Sequence, residues 1–244
     1  MKRTMVAACL LAACAAQAEL APEKLGVRPL PPPSPHWVWV NDISGFTIDG
    51  KAFLVDGDSG TMLGMLSTGG FHDTLAFDPA GKAIYSSDTF YSRGTRGERT
   101  DVISIHDPAT LSFVGEVVIP PKQLLSVSNP NATQILDDGR FVVVYNFTPT
   151  QTVSVVDVQA RKFVGEIDTA GCGMVYAAGP RRFLMMCANG SMLAVTLDDA
   201  GKPVAKKETA RLFDPAQDLL NEDAVRSGDT WRFVSYKGDV YSVD

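Results

Sequence analysis

Histidine, cysteine and tryptophan are scarce in this chain, with 3, 4 and 3 residues among 244. His36, His72 and His106 are scattered and show no metal-ligand spacing. No G-x-S-x-G, Walker, Rossmann or H-E-x-x-H pattern occurs, which removes the familiar nucleophile, phosphate and zinc motifs. Base is outnumbered by acid, 22 Lys and Arg against 28 Asp and Glu. The broad positive surface that displaces counterions from nucleic acid is therefore missing, and no nucleic-acid partner is expected. No run reaches the roughly 18 apolar residues of a membrane-spanning helix. Helical periodicity is also missing, apart from a weak stretch at 215–221.

What is present begins with an export signal. In "MKRTMVAACLLAACAAQAEL", Lys2 and Arg3 form a positive start and 5–13 a short apolar core. "AQA" then offers small residues for cleavage after Ala18. "LAAC" at 11–14 reads alternatively as a lipobox, in which Cys14 would be lipidated and anchor the chain to a membrane. Both routes lead out of the cytoplasm, to the periplasm, and loss of Lys2 and Arg3 takes the formal charge from −6 to −8. Residues 19–36, ending in "PLPPPSPH", read as a proline-rich, extended arm.

With Cys9 and Cys14 assigned to the signal, Cys172 and Cys187 remain as a pair in an oxidising compartment. "CGMVYAA" and "RRFLMMC" flank the turn signal Gly179-Pro180. Counting outward from Ala178 opposite Arg181 places Cys172 opposite Cys187, within disulfide reach. Two buried, inert thiols are the alternative.

From Trp37 onward, short apolar runs are punctuated by Gly, Pro, Asp and Asn, an all-β pattern. The runs repeat. "AFLVDGDSGTMLGML", "VISIHDPATLSFVGEVVI" and "TVSVVDVQARKFVGEI" place Asp56, Asp107 and Asp157 about 50 residues apart, and "DPAGKAIYSSD" and "LDDGRFVVVYN" mark a second element. Such a period with four strands per unit predicts a β-propeller over 37–244, with about four blades and the start of a fifth. The three aspartates read as turn formers whose side chains cap the turn backbone, not as catalytic acids.

The repeats resemble YVTN-type propellers. "WVWVND", "GMLSTGGF", "YSRGTRGERTDVISIHDPATL" and "FVSYKGDVYSVD", with the Cys172/Cys187 spacing, further resemble the heavy subunit of quinoprotein amine dehydrogenases, the aromatic amine branch more than the methylamine branch. That resemblance implies a seven-bladed propeller of which this chain carries the N-terminal part. It implies a heterotetramer of two heavy and two light chains, in which the light subunit holds tryptophan tryptophylquinone. Primary amines would be oxidised to aldehyde and ammonia, with electrons passed to a blue-copper protein. The family's channel-lining Phe falls on Phe46, while "HDTL" stands where the family often has "LPNP" after "GGF". A propeller that binds a partner without redox chemistry, or a non-functional fragment, are the rival readings.

Within that frame, Trp37 and Trp39 share one strand face and read as packing residues of the first blade. His106 reads as structural. Arg93, Arg96 and Arg99 in "SRGTRGERTD" lie in an insertion between the second and third strands of a blade. They read as a solvated loop or a subunit contact in which arginine forks meet carboxylates or carbonyls.

Overall fold

The computed structural model describes residues 28–42, 49–123 and 129–244. Its 17 strands form antiparallel sheets, and no helix occurs among the described residues. Blade 1 comprises β1 (Trp37–Asp42), β2 (Asp49–Asp56) and the first half of β3 (Met62–Phe77). The second half of β3 opens blade 2, which continues through β4 (Ile84–Tyr91), β5 (Arg99–His106) and β6 (Phe113–Ile119). Blade 3 holds β7 (Thr133–Ile135), β8 (Phe141–Asn146), β9 (Thr152–Asp157) and β10 (Lys162–Asp168). Blade 4 holds β11 (Cys172–Ala177), β12 (Arg182–Cys187), β13 (Met192–Leu197) and β14 (Pro203–Glu208). Blade 5 has three strands, β15 (Val225–Ser227), β16 (Thr230–Val234) and β17 (Val240–Val243). The repeat thus becomes a five-blade propeller arrangement. The weak helical signal at 215–221 does not become a helix: Gln217 and Asp218 donate to the Asp214 carbonyl in a turn.

The reason for continuous apolar runs is two-sided burial. In β8, Phe141, Val143 and Tyr145 pack into a cluster shared with blades 4 and 5, while Val142 and Val144 enter the cluster shared with blade 2. A strand between two sheets needs apolar side chains at both parities. Blade 5 joins through Trp231 and Phe233, whose rings meet Tyr176 edge-on at 5.3 and 5.0 Å. The Trp231 indole donates to the Ala177 carbonyl at 2.8 Å. Trp39 packs toward blade 2, its ring 5.8 Å from Phe77.

The aspartates predicted as turn formers do that. Asp107 Oδ1 accepts the Ala109 and Thr110 amides at 2.9 and 2.8 Å, and these bonds, Thr110 first, hold its carboxyl below the usual range. Asp56 accepts the Asp58 amide and Asp157 the Ala160 amide in the same turn. The described part of the proline-rich arm lies against these turns: the Leu30 amide donates to the Ala109 carbonyl, and Gly57 donates to His36. Gly69, where β3 passes from blade 1 to blade 2, is required by space. A Cβ there would stand 2.7 Å from both Asp88 Cβ and the Thr89 nitrogen.

Candidate functional site

Antiparallel order sorts the connections to two ends. Turns from first to second and from third to fourth strand share one end. Turns from second to third strand share the other, together with the crossings to the next blade. The arginine-rich segment is the second-to-third connection of blade 2, as expected. Phe46 lies outside the described residues, in the corresponding connection between β1 and β2.

The structure separates the three arginines. Arg93 and Arg96 are exposed on a loop closed by Arg93 N–H to the Arg96 carbonyl at 3.0 Å and by Glu98 N–H to Ser92 Oγ at 3.0 Å. Arg99 turns inward. Its Nε and Nη2 donate to Asp101 Oδ1 and Oδ2 at 2.7 and 2.8 Å, and Nη2 also reaches the Gln123 carbonyl at 3.2 Å. Asp101, fully buried, also accepts from Thr89 Oγ1 and from the Gln123 amide. This arginine is a strut between the loop base and the crossing to blade 3, so its fork is already filled.

Cys172 and Cys187 are joined by a disulfide and directly opposed across β11 and β12. The staple sits at the same end as the arginine loop, where Ala188 N–H donates to the Gly171 carbonyl. The register leading to it differs from the simple count. Ala177 faces Phe183 and Tyr176 faces Leu184, one step off, until an irregularity after Gly173 restores the alignment. Met174 takes a positive φ of 57° there.

At the opposite end, the first strands of blades 2 to 5 border a cleft of about 270 Å³. Phe77, Gln134, Ile135 and Ala177 line it, and an ion pair forms its polar wall. Arg226 Nη1 and Nη2 donate to Asp137 Oδ1 and Oδ2 at 2.5 and 2.7 Å. The guanidinium's hydrogen bonds hold the Asp137 carboxyl below its usual range. This pair reaches from blade 3 to blade 5 past blade 4, while the next aspartate, Asp138, binds Arg181 of blade 4. One turn therefore clamps two following blades.

A second polar group is enclosed between blades 1 and 2. Asp88 is 1% exposed, and its Oδ2 accepts from Ser86 Oγ at 2.9 Å and from Ser104 Oγ. Ser86 Oγ in turn lies 3.2 Å from His106 Nε2. Burial raises the Asp88 pKa, against lowering by hydrogen bonds from Ser104, the Gly69 amide and Ser86. Burial lowers that of His106, so the imidazole is disfavoured as a cation. His36 pairs with Asp58 at the surface instead. Among the described residues, no three His, Cys, Asp or Glu side chains gather as a metal site. Neither Asp88 nor the Asp137–Arg226 pair was singled out from sequence. An aspartate inside the strand run "IYSSDTFY" was the available signal for the first; partners 89 residues apart left none for the second.

A family model described as methylamine dehydrogenase heavy chain matches residues 35–244. The methylamine dehydrogenase heavy chain of Paracoccus versutus is 30% identical over 221 residues, covering 88% of this chain and 50% of that protein. That of Methylophilus methylotrophus is 24% identical, covering 97% and 61%. The chain spans about half the length of the curated relatives it matches, 50–61%. Among solved structures, the dihydro-heme d1 dehydrogenase NirN in complex with DHE superposes with a TM-score of 0.56 at 24% identity, covering 90% of this chain and 44% of that one. The Dos1 propeller superposes with a TM-score of 0.55 at 14% identity, covering 84% and 49%. At these identities the two structures speak for the propeller fold.

Proposed function

Because the chain belongs to the methylamine dehydrogenase heavy-chain family, we propose that it works as the heavy subunit of a periplasmic amine dehydrogenase. The observation that carries this is one continuous match from 35 to 244, laid over blades that follow one another without interruption of the repeat. The redox group belongs to the partner: a light subunit supplies tryptophan tryptophylquinone, which provides the amine oxidation chemistry, and a blue-copper protein takes the electrons. Two heavy and two light chains form the working assembly. This chain contributes surface and channel. Its own Trp39 packs against Phe77 and toward blade 2.

Arg93 and Arg96 are the arginines offered to a partner carboxylate or carbonyl, because Arg99 is occupied by Asp101. Phe46 lines the substrate channel. An aromatic wall there excludes water and selects apolar amine substituents by contact. The aromatic-amine character of the sequence motifs would act through that wall.

Co-expression with a light subunit tests the reading. Amine-dependent reduction of an electron acceptor should require both chains, and activity of the heavy chain alone would overturn it. In the assembled enzyme, Phe46→Ala should change the kcat/KM ratio of aromatic to small aliphatic amines by about tenfold, as loss of a pocket contact does, with light-subunit binding intact. An unchanged ratio across a panel of amines removes Phe46 from the channel. Arg93→Glu with Arg96→Glu should slow assembly roughly tenfold at low salt. An unaltered tetramer on gel filtration and unaltered association rates leave the loop merely solvated.

A further inference from the structure

Among the described residues, the apolar cluster in the seam between blades 1 and 2 is small: Ala52, Leu66 and Ile84, with Trp39, Leu75 and Leu111 at the margin. Into it β4 projects Asp88. Ser86 and Ser104 both donate to one oxygen, Oδ2, while Oδ1 is enclosed and has no hydrogen-bond partner among the described residues. The Gly69 amide of β3, the strand shared by both blades, also leans on this carboxyl. We propose that Asp88 stands as a neutral carboxylic acid in this seam, and that its ionisation unlatches blade 1 from blade 2.

The placement of donors fits the neutral acid. A carboxylic acid accepts at its carbonyl oxygen and carries its proton on the other, so Oδ2 is the acceptor and Oδ1 the hydroxyl. An ionised group would instead hold buried negative charge on Oδ1, to which none of the described residues donates a hydrogen bond. The neutral acid leaves only an unpaired hydroxyl there, which costs less than an unpaired charge. The titratable groups facing Asp88 from the described parts of β3, β4, β5 and β6 are His106 and Glu116. Across the seam, β1 and β2 carry Asp42 and Lys51 opposite each other, and the side chains of His72 and Asp73, between the pairs Gly70–Thr89 and Thr74–Ser87, lie outside the described residues. His106, buried and hydrogen-bonded to Ser86, is disfavoured as a cation. Glu116, opposite Ser104 on β6, adds negative charge and raises the Asp88 pKa further. No lysine or arginine among the described residues pairs with Asp88 across the seam.

The direction of the pH effect follows. The closed seam keeps a proton that the opened seam releases in the ordinary carboxylate range. The stability this provides is complete below that range, declines as pH rises, and is lost once pH passes the value in the closed seam. Within that window the opening constant rises about tenfold per pH unit. His106 acts at the other side. Its value is lowered in the fold, so its contribution is present above the ordinary imidazole range and is lost as pH falls through the lowered value.

Amide hydrogen exchange on the full chain, corrected for the intrinsic pH dependence of exchange, reads this directly. The opening constant of β1 and β2 amides should climb about tenfold per pH unit over part of the range above the ordinary carboxylate values, while β8 and β9 amides stay level. Asp88→Asn should abolish the climb, and His106→Gln, which removes the opposing imidazole titration, should keep or steepen it. A wild-type profile without the climb, or the same climb in Asp88→Asn, overturns the proposal. Should Asp88→Asn fail to fold, the infrared carbonyl band of protonated carboxylic acid in the wild-type protein, followed through the range above the ordinary carboxylate values, decides: its loss in step with the opening of β1 and β2 supports the neutral acid, and its loss within the ordinary range overturns it.

Discussion

The seam between blades 3 and 4 and the seam between blades 1 and 2 join the same kind of unit by different means. In the first, Phe141, Val143, Tyr145, Val153 and Val155 meet Val175, Tyr176, Phe183 and Met185, nearly all without solvent contact. In the second, Ile84, Ser86 and Asp88 alternate on one face of β4, and among the described residues hydroxyl–carboxyl contacts stand beside a cluster of only Ala52, Leu66 and Ile84. Apolar burial stabilises in proportion to area and is indifferent to pH, whereas the polar seam depends on one proton. A repeat in strand order therefore does not imply a repeat in strength. The proposed functional loops sit at the weaker side: 43–48 belongs to blade 1 and 92–98 to blade 2, while the disulfide lies in the stronger part.

The comparison is broken most forcefully at Phe141. This fully buried ring lies on the blade 4 side of β8 and takes Arg140 and Arg181 guanidinium groups at 4.9 and 5.0 Å from its centroid. Phe141→Ala should cost about 3–5 kcal/mol, the range for truncating a core aromatic, and should strip exchange protection from blades 3, 4 and 5 together. Leu66→Ala, in the thin seam, should cost about 2–5 kcal/mol but expose only blade 1 and the inner strand of blade 2. Denaturant titration with exchange mass spectrometry distinguishes the two. Loss of protection over the same strands in both variants would mean that the seams are equivalent.

Much of the fold was legible because it rests on local rules. Alternating burial made the strand runs visible, and the Asp56, Asp107 and Asp157 turns declare themselves through side chains that bond amides two or three residues ahead. The disulfide was legible for a less secure reason. The count from Gly179-Pro180 set Ala178 against Arg181, but Ala178 N–H donates to the Arg182 carbonyl and the register near the turn is one step longer. The irregularity between Gly173 and Tyr176 takes that step back, so two deviations cancel at Cys172 and Cys187. What was not legible depends on distant partners. Arg99 had one local signal, Asp101 two positions ahead on the same strand face, but that this pair is buried and tied to the Gln123 carbonyl beyond β6 depends on a partner 24 residues away. Asp88 carries the pattern of an ordinary polar strand position until blade 1 is laid over it.

Two devices pin the same end of blades 2 and 4, with blade 3 between them, and they give the smaller test of the comparison. In blade 4 the end is held covalently by Cys172–Cys187; in blade 2 it is held by Arg99 and Asp101. Closing a loop with a sequence separation of 15 residues is worth about 3 kcal/mol in the chain-entropy account. Cys172→Ser with Cys187→Ser should lower stability by about that amount. Amides around the staple, such as Cys187 and Ala188, should then exchange faster, while the Thr89 and Asp101 amides of blade 2 should not change. The mirror experiment, Asp101→Asn, removes the charge that Arg99 and the Gln123 amide share and should leave the blade 4 amides untouched. If cysteine replacement also loosens blade 2, the two ends are coupled through blade 3, and the seams must be treated as one cooperative unit.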